Sequence, residues 1–151
     1  MTTQRNWHEL VFTSHYLTAA AIHAELQDGN VEAAMLGTAE LMESMSKIDR
    51  RAVKSHLVIL MMHIIKWHTQ PHKRSNSWLQ TIDNARDAIG DIQEDTPSIT
   101  DSVIGTTWED ALRRALRNAE REMGEKPTKT TLTWQEVFDE AYTLPSPPDN
   151  R

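Results

Sequence analysis

Residues 63 to 78, HIIKWHTQPHKRSNSW, hold three of the chain's seven histidines together with Lys66, Lys73 and Arg74, and they place Trp67 and Trp78 between them. No carboxylate falls in this stretch, although the whole chain sums to -6. Imidazoles of this kind move protons or ligate metals. Lys66 and Arg74, on either side of Pro71 and with the Gln70 amide beside them, are suited to hold a carboxylate or phosphate. A helix starting after the turn adds free N–H groups that also favour an anion. The opposing reading is that Lys66 and Arg74 pair internally, with Glu40 or Glu43, and fix the helices they stand on.

His63 sits in LMMHII and lies seven residues after His56, so the two are nearly superposed on one helix. A half-buried imidazole needs partners for its ring nitrogens. Glu43, on what reads as the preceding helix, is the candidate for His63. Metal chemistry has less to stand on. Glu40 and Glu43 share a helix face at i, i+3, but the Glu-x-x-His pairs of carboxylate-bridged bundle sites do not occur. His68 and His72 have a suitable separation, yet Pro71 lies between them. With no HExxH and no cysteine, neither a metal nor any other cofactor is implied. Five scattered glycines make no phosphate-binding loop. Arg113, Arg117 and Arg121 form a stripe interleaved with Glu120 and Glu122, the pattern of a solvated, salt-bridged face.

A different chemistry is spelled by Arg51 and His56. Their R-x4-H spacing resembles that of the HEPN superfamily of all-helical, metal-independent ribonucleases. That resemblance implies a histidine handling the 2′-hydroxyl proton and an arginine stabilising phosphate charge.

Helices must position all of these groups, because apolar residues recur at helical spacing from end to end. A first helix is expected over about Trp7 to Gln27, with Leu10, Leu17, Ala21 and Ala24 near one face. Asp28-Gly29-Asn30 is a turn. In the second helix, VEAAMLGTAELMESM, Met35, Leu41 or Met42, and Met45 face inward, and Ser46 or Asp49 caps the third. Val53, Leu57, Leu60, Ile64 and Trp67 give that third helix a continuous apolar stripe, which Pro71 ends. A fourth helix starts at Ser75 or Ser77 and carries Trp78, Ile82, Ala85, Ile89 and Ile92. The fifth is capped by Ser98 and carries Ile104, Trp108, Ala111 or Leu112, Ala115, Ala119 and Met123, with Gly124 stopping it. Thr133 caps a short last helix before a loose tail, 143–151. There is no internal repeat, and no heptad array is long enough for a coiled coil. The expectation is an all-α, single-domain bundle of about five main helices plus a short C-terminal one, spanning 1–151.

At the third and fourth helices, SHLVILMMHIIKWHTQPHKRSNSWLQTI resembles the signature of the bacterial Domain of Unknown Function 29 family, through His63, Lys66, Trp67, Gln70, Pro71, Arg74, Ser77, Trp78 and Ile82. AELMES, DTPSI and TLTWQEVFDEAYTLP are similar to further segments of that family. Trp108 departs from it, standing where a tyrosine is expected. The resemblance implies a small, all-helical bacterial protein and supplies no activity.

Composition narrows the classes. Absence of cysteine excludes disulfides and thiolate chemistry. The N-terminal MTTQRNWHEL has no signal pattern, and LVILMMHII is too short to span a bilayer, so a cytoplasmic protein without membrane contact is expected. Net negative charge argues against a general nucleic-acid binder. The reading that follows is a non-enzymatic module that binds another protein or an anionic ligand through Glu43, His63, Lys66, Gln70, Arg74 and Trp78. A small ribonuclease using Arg51 and His56 is the alternative. Oligomeric state is left open.

Overall fold

The computed structural model describes residues 4–146, and among these every regular element is helical. In chain order they are α1 (Trp7–Thr13), α2 (His15–Gln27), α3 (Val31–Thr69), a 3₁₀ turn (Pro71–Lys73), α4 (Asn76–Asp95), α5 (Asp101–Met123) and a short π-type turn (Gln135–Asp139). The all-α expectation holds, and the number of main helices is also as expected. Two differences alter the division into helices, and their effects on the count cancel.

Ser14 splits the expected first helix. Its backbone is extended, at φ -161° and ψ 124°, and its hydroxyl accepts from the Leu17 N–H, so it closes α1 and caps α2. The break expected at Ser46 or Asp49 is absent, and α3 runs unbroken for 39 residues. Elsewhere the turn chemistry acts as the residue types dictate. Gly29 and Gly124 take positive φ at 79° and 71°, Ser75 caps α4, and Pro71 follows the end of α3. Thr100, and not Ser98, caps α5 by accepting from the Val103 N–H. Among the described residues no helix is long and apolar enough to cross a membrane. Residues 147–151 of the expected tail lie outside the described residues.

The described chain divides into two compact units, one up to Asp49 and one from Arg50 on. In the second unit, Val53, Leu57, Leu60 and Ile64 of α3 meet Ile82, Ala85 and Ile89 of α4 and Ile104, Ala111, Ala115 and Ala119 of α5 in one core. Ile99, Leu132 and Val137 close it. Each large aliphatic side chain fully buried there contributes roughly 1.5–3 kcal/mol. The apolar stripes expected for these helices are the ones that pack.

The first unit is different. Its buried hydrophobic residues are Trp7, Val11, Ala21 and Ala34. The Trp7 ring lies against Gly37 on α3, and His15 Nε2 stands 2.8 Å from Ser44 Oγ. Of Met35, Leu41 or Met42, and Met45, expected to face inward, Met35, Met42 and Met45 are exposed and Leu41 is half-buried.

Candidate functional site

The cationic corner forms where Pro71 stops α3. Without an N–H, and with its ring against the preceding residue, proline cannot continue the helix. The Gln70 N–H still bonds to Lys66 O, and the chain then folds through the 3₁₀ turn into Ser75, whose hydroxyl accepts from the Trp78 N–H. This geometry brings Lys66, Trp67, Gln70, Arg74 and Trp78 into one neighbourhood, as the sequence predicts.

What they do there is largely internal. The Lys66 side chain keeps 8% of its exposure, and its Nζ lies 3.1 Å from Glu122 Oε1 and 4.8 Å from the centre of the Trp78 ring. An ammonium taken out of water needs such compensation, and a carboxylate plus an indole face supply it. Gln70 is buried as well. Lys66 and Gln70 are therefore packing residues, with Glu122 of α5 as the lysine's partner where Glu40 or Glu43 was expected. Glu40 instead lies 3.8 Å from His8, and Glu43 lies 3.8 Å from Lys47.

The expected Glu43–His63 pair does not form. Both residues belong to α3, so Glu43 is not on a preceding helix. The His63 ring bonds back within its own helix, with Nδ1 2.9 Å from Ile59 O. A carbonyl only accepts, so Nδ1 carries the proton and Nε2 is the free acceptor of the neutral ring. Burial holds the His63 pKa below its usual value, against the Ile59 bond that favours protonation.

Arg74 remains the outward cation of the group. Its Nε donates to Trp67 O at 2.9 Å, and its guanidinium carbon lies 4.7 Å from the centre of the Trp67 ring. Trp67 is buried, so the guanidinium is held from below by ring and carbonyl. Its terminal nitrogens make no hydrogen bond or ion pair among the described residues. His72 and Lys73 beside it are exposed. The acid-free stretch is longer than the corner itself: no Asp or Glu occurs between Asp49 and Asp83.

A second polar cluster adjoins the corner, and of it the sequence shows only the Thr133 cap. Thr133 and Glu136 form a reciprocal cap, with Thr133 N and Oγ1 on Glu136 Oε1 at 3.0 and 3.1 Å, and Glu136 N on Thr133 Oγ1 at 3.2 Å. Lys129 Nζ reaches Glu136 Oε2 at 2.8 Å. Burial opposes the Glu136 charge, but the Lys129 ammonium and the Thr133 donors outweigh it and hold the carboxyl below its usual range. His68 Nε2 is buried without a hydrogen bond, 4.0 Å from Glu136 Oε2. Burial, reinforced by Lys129, lowers the His68 pKa. Arg86 of α4 ties this segment down through Val137 O and Glu140 O, both at 2.8 Å.

Arg51 and His56 both stand on α3, and five residues on a helix turn through roughly 140°, so they project from different sides. Among the described residues no hydrogen bond or ion pair joins them, and no three His, Asp or Glu side chains gather as a metal would require. An open groove of about 560 Å³ lies in the first unit, between Trp7 and the Gly29–Asn30 turn. Two of its charged groups already pair, with Arg5 Nε 2.6 Å from Glu25 Oε1.

The family model described as Domain of unknown function DUF29 matches residues 19–143. No curated protein and no solved structure matches the chain.

Proposed function

This chain belongs to the Domain of unknown function DUF29 family, and we propose that it is a non-enzymatic binding module that docks an acidic segment of a partner protein at the outer edge of the corner. Arg74 is the principal contact, with Lys73 beside it and the first N–H groups of α4 adding to the anion's environment. The observation that carries this reading is the state of Arg74. Its side chain is oriented by the Trp67 carbonyl and ring while its terminal nitrogens have no acceptor among the described residues. A guanidinium held in this way presents parallel N–H groups to a carboxylate with little further ordering cost.

The acid-free stretch from Arg50 to Ile82 supports the same reading, because no carboxylate near them in sequence competes for Lys73 and Arg74. Lys66 and Gln70 serve the proposal as the rigid floor and do not touch the partner. Reassigning them sharpens the experiment. Tagged full-length protein is used to recover partners from its native cells, beside Lys73→Glu and Arg74→Lys, with helical content checked by circular dichroism. The partner recovered by the wild type should carry its contact in an acidic segment, be lost with Lys73→Glu, and be weakened with Arg74→Lys, which keeps the charge and loses the fork. Recovery that is indifferent to both substitutions, or a partner bound through a non-acidic segment, overturns the reading.

A further inference from the structure

Two ion pairs between α3 and α5 fix how those helices lie. Lys54 pairs with Asp110 and Lys66 with Glu122, and the partners in each pair are 56 residues apart. Equal offsets mean that the two helices run parallel and in register. Asp110 is shared further, because Arg113 and Arg114 of its own helix also reach it. One carboxylate thus stands among three cations, and positive charge is left over. Burial, and then the charges of Arg114 and Arg113, hold the Lys54 pKa below its usual value.

The excess continues along α5. Arg117 and Arg121 follow Arg113 at intervals of four residues, about 6 Å each. Both are exposed, and neither makes a hydrogen bond or ion pair among the described residues. The interleaved acids expected to pair with this stripe are placed otherwise. Glu122 is on Lys66. Glu109 and Glu120 lie roughly 80–100° round the helix from Asp110, on the side away from Glu122 and hence from α3. Towards α3 the band gains Arg51, which is exposed and one turn before Lys54. Round α3, Arg51 falls between Lys54 and Lys66, roughly 60° from each, on the side turned to α5.

We propose that this band, Arg51 and Lys54 on α3 with Arg113, Arg114, Arg117 and Arg121 on α5, holds the sugar–phosphate backbone of a nucleic acid lying along α5. From the level of Arg51 to Arg121 the band covers about 20 Å. That is the axial span of about six phosphates of one strand, at roughly 3.4 Å each. Five of the six cations are arginines, whose planar forks suit phosphate oxygens. A protein partner is the poorer fit, because protein interfaces centre on apolar and aromatic side chains. The band offers none: Ile59, the one large hydrophobic residue exposed after Asp49 among the described residues, lies roughly 140° round α3 from Lys54. Nucleic-acid interfaces are polar and strongly positive instead. Trp108 of α5 is stacked on Trp134, roughly 160° round the helix from Asp110, so no ring in the band stacks a base. Contact is therefore with the backbone and indifferent to sequence. The chain's charge of -6 is concentrated elsewhere, for seven Asp and Glu precede Arg50 with only Arg5 and Lys47 among them.

The test is fluorescence anisotropy with full-length protein at several salt concentrations. The probes are labelled polyuridylate, a mixed-sequence DNA duplex, and polyglutamate of matched charge. Wild type is compared with Arg117→Glu plus Arg121→Glu, with Arg51→Gln, and with Lys73→Glu as a control at the other cationic surface. Wild type should bind a nucleic-acid probe, and the tighter of the two names the form preferred. Six contacts to a single strand give a slope of log K against log salt of roughly -4, at about 0.7 per phosphate. The double variant should lose at least tenfold at low salt with its helical content unchanged by circular dichroism. Arg51→Gln, on the other helix, should shallow the slope by about one contact, and Lys73→Glu should leave affinity within about twofold. Should the double variant lose its helices, Arg51→Gln decides the matter alone. No binding of either nucleic acid at low salt, or binding indifferent to the substitutions in the band, overturns the proposal. Polyglutamate held as tightly as polyuridylate overturns it too, in favour of an acidic protein. Because Lys73→Glu is the variant that tests the corner, loss of one surface is told apart from loss of the other.

Discussion

A Cβ built on Gly37 would stand 2.7 to 2.8 Å from three ring carbons of Trp7, closer than real Cβ atoms approach. The glycine is thus the seat on which α1 is anchored to α3. At an ordinary mid-helix position, Gly→Ala stabilises by about 1 kcal/mol. Here the indole must move, and overpacking costs typically 1–3 kcal/mol. Gly37→Ala should therefore lower stability in chemical unfolding, while Gly90→Ala in α4 and Gly105→Ala in α5, where an added Cβ meets nothing within 4 Å, should raise it. A stabilising Gly37→Ala would mean that Trp7 does not occupy this seat.

The histidines set an acid limit on stability. Burial lowers the pKa of both His63 and His68 in the folded state. The unfolded chain, at about 6.5, takes protons first. Stability therefore rises with pH through this region: it is fully present above about pH 7 and is lost as pH falls below 6.5 toward the folded values. The lowered carboxyls of Glu25 and Glu136 act in a separate window, losing their contribution as pH falls below their ordinary 4.5. Urea midpoints at pH 8 should exceed those at pH 5, and His63→Gln and His68→Gln should each flatten part of that slope. Midpoints unchanged between pH 8 and 5 would show that neither ring resists protonation.

Lys66 tests the corner's internal pairing. Glu122→Gln leaves the buried ammonium an amide oxygen and the Trp78 face but no countercharge, so it should destabilise by about 1–3 kcal/mol. Lys66→Met removes the charge and keeps the packed stem, and substitutions of that type are often neutral or stabilising. The ordering of the two variants is the point, and thermal unfolding reads it. Lys66→Met more damaging than Glu122→Gln would show that the ammonium itself does something the methylenes do not.

Much of this fold is legible in the sequence, and the legible parts share a cause. Ile82, Ala85 and Ile89, like Ile104, Ala111 and Ala115, are apolar at helical spacing and flanked by charge, so spacing alone tells which face is buried. The same rule misleads for Met35, Met42 and Met45, because spacing defines a face without saying what covers it. Ser46 and Asp49 read as caps, but a cap is only one use of a short polar side chain, and α3 passes through them. Pro71 and Gly124 do mark their helix ends, since their effects are backbone constraints. Within the corner, the grouping of Lys66, Gln70, Arg74 and Trp78 is legible from one turn. Glu122 is not, because its place opposite Lys66 depends on how α5 returns past α3.

Arg86 is the clearest case of a residue hidden from sequence reading, since its acceptors are backbone groups fifty positions away. Its Nε donates to Val137 O, and one terminal nitrogen reaches Glu140 O at 2.8 Å and Glu136 O at 3.4 Å. The guanidinium carbon also lies 5.6 Å from the centre of the Tyr142 ring, whose hydroxyl donates to the same Glu136 O. One planar fork thus gathers the carbonyls that the π-type turn leaves unpaired. Each hydrogen bond involving a charged group contributes about 1.5–3 kcal/mol. Arg86→Ala should cost about 3 kcal/mol, and Arg86→Lys should recover less than half of it, because an ammonium cannot bridge three divergent oxygens. Hydrogen exchange locates the effect: amides from Thr133 to Tyr142 should lose protection in Arg86→Ala well before those of α4. Protection lost evenly along the chain, or a lysine variant as stable as the wild type, would mean that the charge alone, without the fork, holds the segment.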